Sequence, residues 1–190
     1  MRLIPIETPQ GPLLKLAYFL TKRSVGQVIS PLKVIYARRP QLLPLLDKII
    51  KFQSKTLSID NELKLLIKAY CAQLNHCAFC QDIALAEMLR QSLGDAKFRH
   101  MHDWRESQGV FAPEEQAVLA FVEEYSRSKT VPDEIYESLR QHFNEVQLID
   151  IVAVHAIEQY FNAMNIPFDI ESDGLADAWR YQFQDTVKAV

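Results

Sequence analysis

Cys77-Ala78-Phe79-Cys80 is the stretch of this sequence best suited to chemistry. Thiols at i and i+3 lie on one face of a helix, close enough for a disulfide after modest adjustment of the first turn. A disulfide closing so small a loop adds little stability, so reversible redox chemistry is the better reason for the spacing. Cys77 and Cys80 are therefore expected to cycle between dithiol and disulfide. Asn75 reads as the N-cap of a helix opening at His76, because its side chain can accept a bond from a free amide of the following turn. Cys77 then sits in the first turn, where the helix dipole stabilises a thiolate, so Cys77 is expected to be the more acidic thiol. His76, if protonated, acts in the same direction; its plainer reading is an exposed first-turn residue.

Two other readings of the thiols stay open: a buried pair used only for packing, or half of a zinc site completed by Cys71 and His76. Four ligands within ten residues, half of them helical, close awkwardly into a tetrahedron, so neither metal nor cofactor is expected. Cys71 falls on the preceding helix and reads as a small buried hydrophobe that stays reduced. His100 and His102 flank Met101 in a surface segment and suggest no chemistry.

The elements that must position these thiols are all helical. No stretch alternates at period two for more than a few residues, so the expected fold class is all-α. Pro5, Pro9, Gly11 and Pro12 keep residues 1–12 irregular. Helices are predicted over 13–21, from 30–31 to 37, and over 42–56. Asp60 is the expected N-cap of a helix over 62–74, whose Leu63, Leu66, Ile67, Tyr70 and Leu74 form one apolar stripe. The thiol-bearing helix should run from His76 to Leu93 and stop at Gly94. Further helices are expected around Trp104, over 113–126 behind Pro113, over 130–143, and over 145–165 before Pro167. Residues 1–190 read as one all-helical domain with a core over 26–165; 1–25 and 166–190 are peripheral extensions, the latter carrying Trp179, Tyr181 and Phe183 toward the body or a second subunit.

Composition narrows the setting. The chain has 190 residues, 48% hydrophobic and 24% charged, enough to bury a sizeable core. Three cysteines are an odd number, unlike a secreted disulfide framework, and a reducing, cytoplasmic compartment fits better. A net charge of -3 offers no general attraction to phosphate backbones or anionic lipid, so neither nucleic acid nor a membrane is an expected partner. Leu13 to Leu20 is apolar apart from Lys15, but Lys22-Arg23 follows it instead of a small-residue cleavage site; it reads as a docking helix.

The run Leu74-Asn75-His76-Cys77-Ala78-Phe79-Cys80-Gln81-Asp82-Ile83 resembles the core of the carboxymuconolactone decarboxylase-like superfamily, on its alkylhydroperoxidase D-like branch. Gly26-Gln27-Val28, Pro31 and Ala37-Arg38-Arg39-Pro40-Gln41-Leu42-Leu43 resemble its lead-in helices. Trp104-Arg105-Glu106-Ser107, Phe111, Glu115 to Phe121, Phe143-Asn144-Glu145 and Asn162 resemble its second half, so the likeness covers about Gly26 to Asn165. The resemblance implies a compact helical fold assembled into trimers or hexamers, with a redox-active pair whose second cysteine meets the peroxide and whose first resolves it. It also implies a Glu and a His as proton relay. Here those positions hold Leu65 and Ala84, and the family's Gly before the first cysteine is His76.

Three groups are candidates for the missing relay. Glu62 lies one turn before Leu65, and its plainer reading is a solvated acid at a helix start. His76 adjoins Cys77. His155, Glu158 and Asn162, at i, i+3 and i+7, form a polar strip in an apolar helix; Glu158 is expected to hold His155, as a relay or as a satisfied core pair. Together these point to an antioxidant thiol-disulfide oxidoreductase that reduces peroxides or disulfides with a dithiol electron donor. The competing expectations are a redox-responsive oligomer without turnover and, ranked last, decarboxylation of a carboxylated lactone.

Overall fold

The computed structural model describes residues 1–93 and 95–178, which form helices and turns with no strand. Gly94, Trp179, Tyr181 and Phe183 lie outside the described residues. Helix α1 (Pro12–Val25) starts on a proline and ends where Gly26 takes a left-handed φ of 85° and returns its N–H to the Lys22 carbonyl. It is a turn longer than predicted, because Gly26 is the stop and Lys22-Arg23 is not. The segment expected as a second α-helix is instead π-helical over Leu32–Tyr36, its wide turn closed by Ala37 N–H on the Leu32 carbonyl at 2.9 Å. A 3₁₀ turn, Pro40–Leu42, then leads into α2 (Leu43–Lys55).

Helix α3 (Asn61–Leu74) is capped as its sequence predicts, with the Asp60 carboxylate accepting from Leu63 N–H at 2.7 Å. Its junction with α4 (Ala78–Arg90) differs from expectation. Asn75 closes α3 instead of opening α4, and Cys77 is the N-cap. The turn is a Schellman motif: Cys77 N–H bonds the Ala72 carbonyl, His76 N–H bonds the Gln73 carbonyl, and His76 adopts φ 54° where glycine is usual. At the far end Ser92, with φ 60°, takes the left-handed position that the sequence predicts at Gly94.

Helix α5 (Ala96–His100) and a 3₁₀ turn over Met101–Asp103 stop just short of Trp104. Helix α6 (Pro113–Ser128), α7 (Asp133–Arg140) and α8 (Glu145–Asn165) follow. Asn144 and Gln147 form the capping box of α8, each bonding the other's backbone N–H.

Two apolar clusters organise these helices. One packs α3, α6 and α8 around Leu66, Ile67, Leu119, Val122, Ile151 and Val154. The other gathers Leu14 and Tyr18 of α1, the π-helix, and α4 with both thiol-bearing residues. The terminal segments are built into this second cluster. Tyr18 donates to the Ile6 carbonyl at 2.6 Å. Near the C-terminal side, the buried Asp82 carboxylate accepts from the N–H groups of Asp173, Leu175 and Ala176 at 2.9–3.0 Å. Asp173 in turn accepts from Ser30 N–H at 2.7 Å, so a chain of carboxylate bonds straps residues 170–176 across the π-helix onto α4. Among the described residues, no helix is long and apolar enough to cross a membrane.

Candidate active site

Cys77 and Cys80 are joined as a disulfide with their Cα atoms 5.2 Å apart, one at the N-cap and one in the first turn of α4. Both are buried, at 2% and 3% exposure, yet only Cys80 lines a cavity. This cavity, about 560 Å³, opens between α1, the π-helix, α2, α3, α4 and α8. Its wall near the sulfur includes Phe79, Leu65, Ala84 and Glu158. Asn165, at the end of α8, donates to Cys80 Sγ at 3.4 Å, and its own Oδ1 is buried with no partner among the described residues.

Glu158 is the one carboxyl that is wholly buried in this wall. Its side chain accepts from Asn162 Nδ2 at 2.6 Å, and burial pushes its pKa up to about 7, against the opposing charge of Lys68. A carboxyl so tuned can take and return a proton near neutral pH. Asn162 Oδ1 accepts from Asn75 Nδ2 at 2.9 Å, and the same amide reaches Gln159 Oε1 at 3.0 Å. The residue that closes α3 just before the thiols is thereby fixed to the helix that carries the carboxyl.

The other sequence candidates go elsewhere. His155 is fully buried in α8 but does not pair with Glu158. Its Nε2 meets Ser126 Oγ of α6 at 2.9 Å, its ring packs against Phe121 and Tyr125, and its Nδ1 has no partner among the described residues. Burial, with the charge of Lys129, pushes its pKa down to about 4, which keeps it neutral. Glu62 is drawn to Lys97 at 2.5 Å and does not line the cavity. His76 is exposed on the Schellman turn, beside Cys77 in sequence and outside the cavity lining. Cys71 is buried in α3, and desolvation pushes its thiol up to about 12. Among the described residues, no three His, Cys, Asp or Glu side chains are grouped as a metal site. Leu65 and Ala84, the two positions at which the resemblance expects a relay, both line the cavity with Cys80. Sequence reasoning missed Lys68 and Asn165, whose placement depends on how the helices meet.

Solved structures with this fold exist. An uncharacterized peroxidase-related protein from Silicibacter sp. TM1040 has TM-score 0.78 at 15% identity, covering 93% of this chain and 95% of its own. A protein of unknown function from Agrobacterium tumefaciens, with a suspected role as the antioxidant defence protein AhpD, has TM-score 0.68 at 24% identity over 73% of this chain and 96% of its own. The chain has the alkylhydroperoxidase D-like fold. The debrominase Bmp8 shares that fold. Bmp8 was solved as a cysteine-to-alanine variant in complex with 2,3,4-tribromopyrrole, and has TM-score 0.79 at 19% identity over 96% of this chain and 97% of its own.

Among curated proteins, the chain shares a family with YdfG of Bacillus subtilis, an uncharacterized protein 34% identical over 103 residues, or 53% of this chain and 69% of YdfG. YnjA of Escherichia coli, likewise uncharacterized, is 28% identical over 159 residues, 83% of this chain and 86% of its own. No family model matches the chain.

Proposed function

We propose that the protein is a thiol-disulfide oxidoreductase in which Cys80 attacks a peroxide or disulfide held in the cavity and Cys77 resolves the product. The observation that carries this reading is that Cys80, alone of the pair, lines a cavity that also contains a buried carboxyl poised near neutrality. In the peroxide case, Glu158 takes the Cys80 proton and the thiolate attacks the terminal peroxide oxygen. The O–O bond breaks, Cys80 becomes a sulfenic acid, and the alkoxide leaves with the proton from Glu158 as an alcohol. The Cys77 thiol then displaces hydroxide from the sulfenic sulfur, giving water and the Cys77–Cys80 disulfide, and an external dithiol reduces the pair for the next cycle.

The test is peroxide consumption with dithiothreitol as donor. Turnover is expected in the parent and absent in Cys80→Ser. If a reduced, folded parent consumes neither peroxide nor a low-molecular-weight disulfide, the pair is a redox-responsive element without turnover. A reducing compartment such as the cytoplasm suits this cycle, since the donor dithiol must be maintained.

A second reading comes from the fold shared with the debrominase and the largely apolar cavity. A dithiol can also reduce a carbon–halogen bond: an aryl bromide and two thiols give the arene, bromide, a proton and the disulfide. Release of bromide from a brominated pyrrole by the dithiothreitol-reduced protein, with no peroxide turnover, would favour this chemistry.

Assembly into a homo-oligomer, a trimer or hexamer, is part of the same proposal. Leu13, Leu16, Phe19 and Leu20 on α1 and Val146, Ile149 and Val152 on α8 are each 45–68% exposed, which is more apolar helix surface than an isolated chain usually shows. Light scattering after gel filtration measures the state.

A further inference from the structure

The cavity assigned above to the thiol chemistry holds a cation that no group among the described residues bonds. Lys64, Leu65 and Lys68 lie on one face of α3 and all line the cavity. The Lys64 ammonium donates to the Gln53 carbonyl at 3.2 Å. Lys68 makes no hydrogen bond or ion pair among the described residues. The two acids that share its cavity are otherwise engaged. Glu87 is held by Arg90 Nε at 2.8 Å and by Gln91 Nε2 at 2.6 Å, and Glu158 by Asn162. The Lys68 charge acts on both carboxyls across the cavity without bonding either, and burial keeps Glu158 protonated to about pH 7, so Glu158 does not neutralise the lysine.

The remaining wall is mostly apolar, with Phe79, Ile83, Phe161 and Met164 toward the thiol and the half-exposed Leu20 and Ile50 on the outer side. At about 560 Å³ the space falls within the roughly 300–1,000 Å³ range of small-molecule sites, far beyond what hydrogen peroxide fills. A half-buried cation that no group bonds, set on a mostly apolar wall, is free to make a charge-assisted bond to an anionic ligand, and a neutral two-oxygen peroxide makes no use of either feature.

We infer that the cavity takes an amphipathic organic anion, whose charged end pairs with Lys68 while its apolar body lies along Phe79, Ile83 and Phe161 toward Cys80. Lys68 thus sets substrate specificity for the thiol chemistry proposed above, on which this inference rests, and it sets it for the anionic form of an apolar molecule over its neutral analogue. The pairing involves no bond-making, so it can be measured on the disulfide form, where no turnover occurs.

The test is calorimetric titration of the oxidised protein with octanoate and with octanamide, which match in length and differ in charge. Octanoate should bind roughly tenfold or more tightly than octanamide, the expected reach of a charge-assisted bond. Lys68→Met should erase that preference while leaving octanamide binding unchanged, and Lys64→Met should keep it. Lys68→Arg, which retains the charge, should keep the preference and guards against a Lys68→Met protein that fails to melt like the parent. Equal binding of the two probes, or a preference that survives Lys68→Met, overturns the inference. If octanoate is preferred through Lys68 but the reduced protein turns over nothing, the site assignment stands and the oxidoreductase reading falls. If neutral and anionic hydroperoxides are reduced equally well and the probes bind equally, the reading stands and the inference falls.

Discussion

Asn162 donates to Glu158 across one turn of α8 at 2.6 Å, and that bond anchors the carboxyl in the wall of the cavity onto which Cys80 opens. Glu158→Gln keeps the acceptor oxygen for Asn162 while removing the titration, which makes it the sharpest probe of this residue. If Glu158 takes the thiol proton, the parent rate should rise with pH through about 7, and the variant should lose roughly 10²- to 10⁴-fold of activity along with that inflection.

Stability should move the opposite way. The folded pKa of Glu158, about 7, lies above the ordinary value of 4.5, so the folded protein holds a proton that the unfolded chain releases. The parent's stability from this group is present at acid pH and is lost as pH rises from 4.5 through 7. Glu158→Gln should therefore melt like the parent near pH 4.5 and gain an advantage that grows to about 3 kcal/mol above pH 7, each tenfold change in proton affinity being worth about 1.36 kcal/mol. Thermal melts at pH 5 and pH 8, on oxidised protein, check the sign.

The two sulfurs should separate cleanly. Cys80 lines the cavity and Cys77 does not, so Cys80→Ser should abolish reaction with substrate. Cys77→Ser should consume one equivalent of peroxide and stop, leaving a sulfenic acid on Cys80 that dimedone traps. Alkylation rates against pH in the same two proteins report which thiol is more acidic, a separate question from which one faces substrate. Multiple turnovers by Cys77→Ser would mean that the pair does not act in the order attack and then resolution.

Local signals in the sequence are enough for much of the frame. Asp60 and the Asn144–Gln147 box mark helix starts through bonds to residues three positions away, Pro113 marks another through its fixed φ and missing N–H, and α8 runs over the predicted 145–165. The turn before the thiols resists the same reading. Asn75 has the side chain of an N-cap, but it spends its amide on Gln159 and Asn162, 84 and 87 residues further on, and no local pattern records that choice. His76 hides a C-terminal stop because the usual glycine is absent. The polar strip of α8 is legible, yet its pairing is not: the i, i+3 spacing suggests His155 with Glu158, whereas Glu158 turns to Asn162 and His155 to Ser126 on another helix. Lys68 looks in sequence like any helical lysine; only the closing of six segments around it leaves it facing a cavity.

His76 offers a test that separates backbone from chemistry. It holds φ 54°, a conformation that costs a non-glycine residue about 1 kcal/mol and costs glycine almost nothing. It is exposed and outside the cavity lining. His76→Gly should therefore stabilise the protein, by up to about 1 kcal/mol, with the peroxide rate within a few-fold of the parent. A folded, more stable variant with a collapsed rate would restore His76 as the group that activates Cys77.

Leu65 and Ala84 line the cavity with Cys80 and Glu158, so the relay that the family resemblance implies can be rebuilt at its own positions. In the parent, Leu65→Glu with Ala84→His would set a second carboxyl facing the same cavity as Glu158, and the like charges would push one of the two to stay protonated. The gain should therefore be small there and large in a Glu158→Gln background, where the introduced pair is the only base. Both positions are almost fully buried, at 4% and 3% exposure, so a carboxylate and an imidazole at these sites cost several kcal/mol unless they bond each other or reach cavity water. Rates are to be compared only between proteins whose melts show a cooperative transition above the assay temperature. A tenfold or greater recovery of peroxide reduction in the triple variant over Glu158→Gln would show that Glu158 occupies, from α8, the role that Leu65 and Ala84 vacated on α3 and α4. If the triple variant is folded and no faster than Glu158→Gln, proton removal does not limit the reaction, and the loss in Glu158→Gln must come from substrate binding beside Lys68.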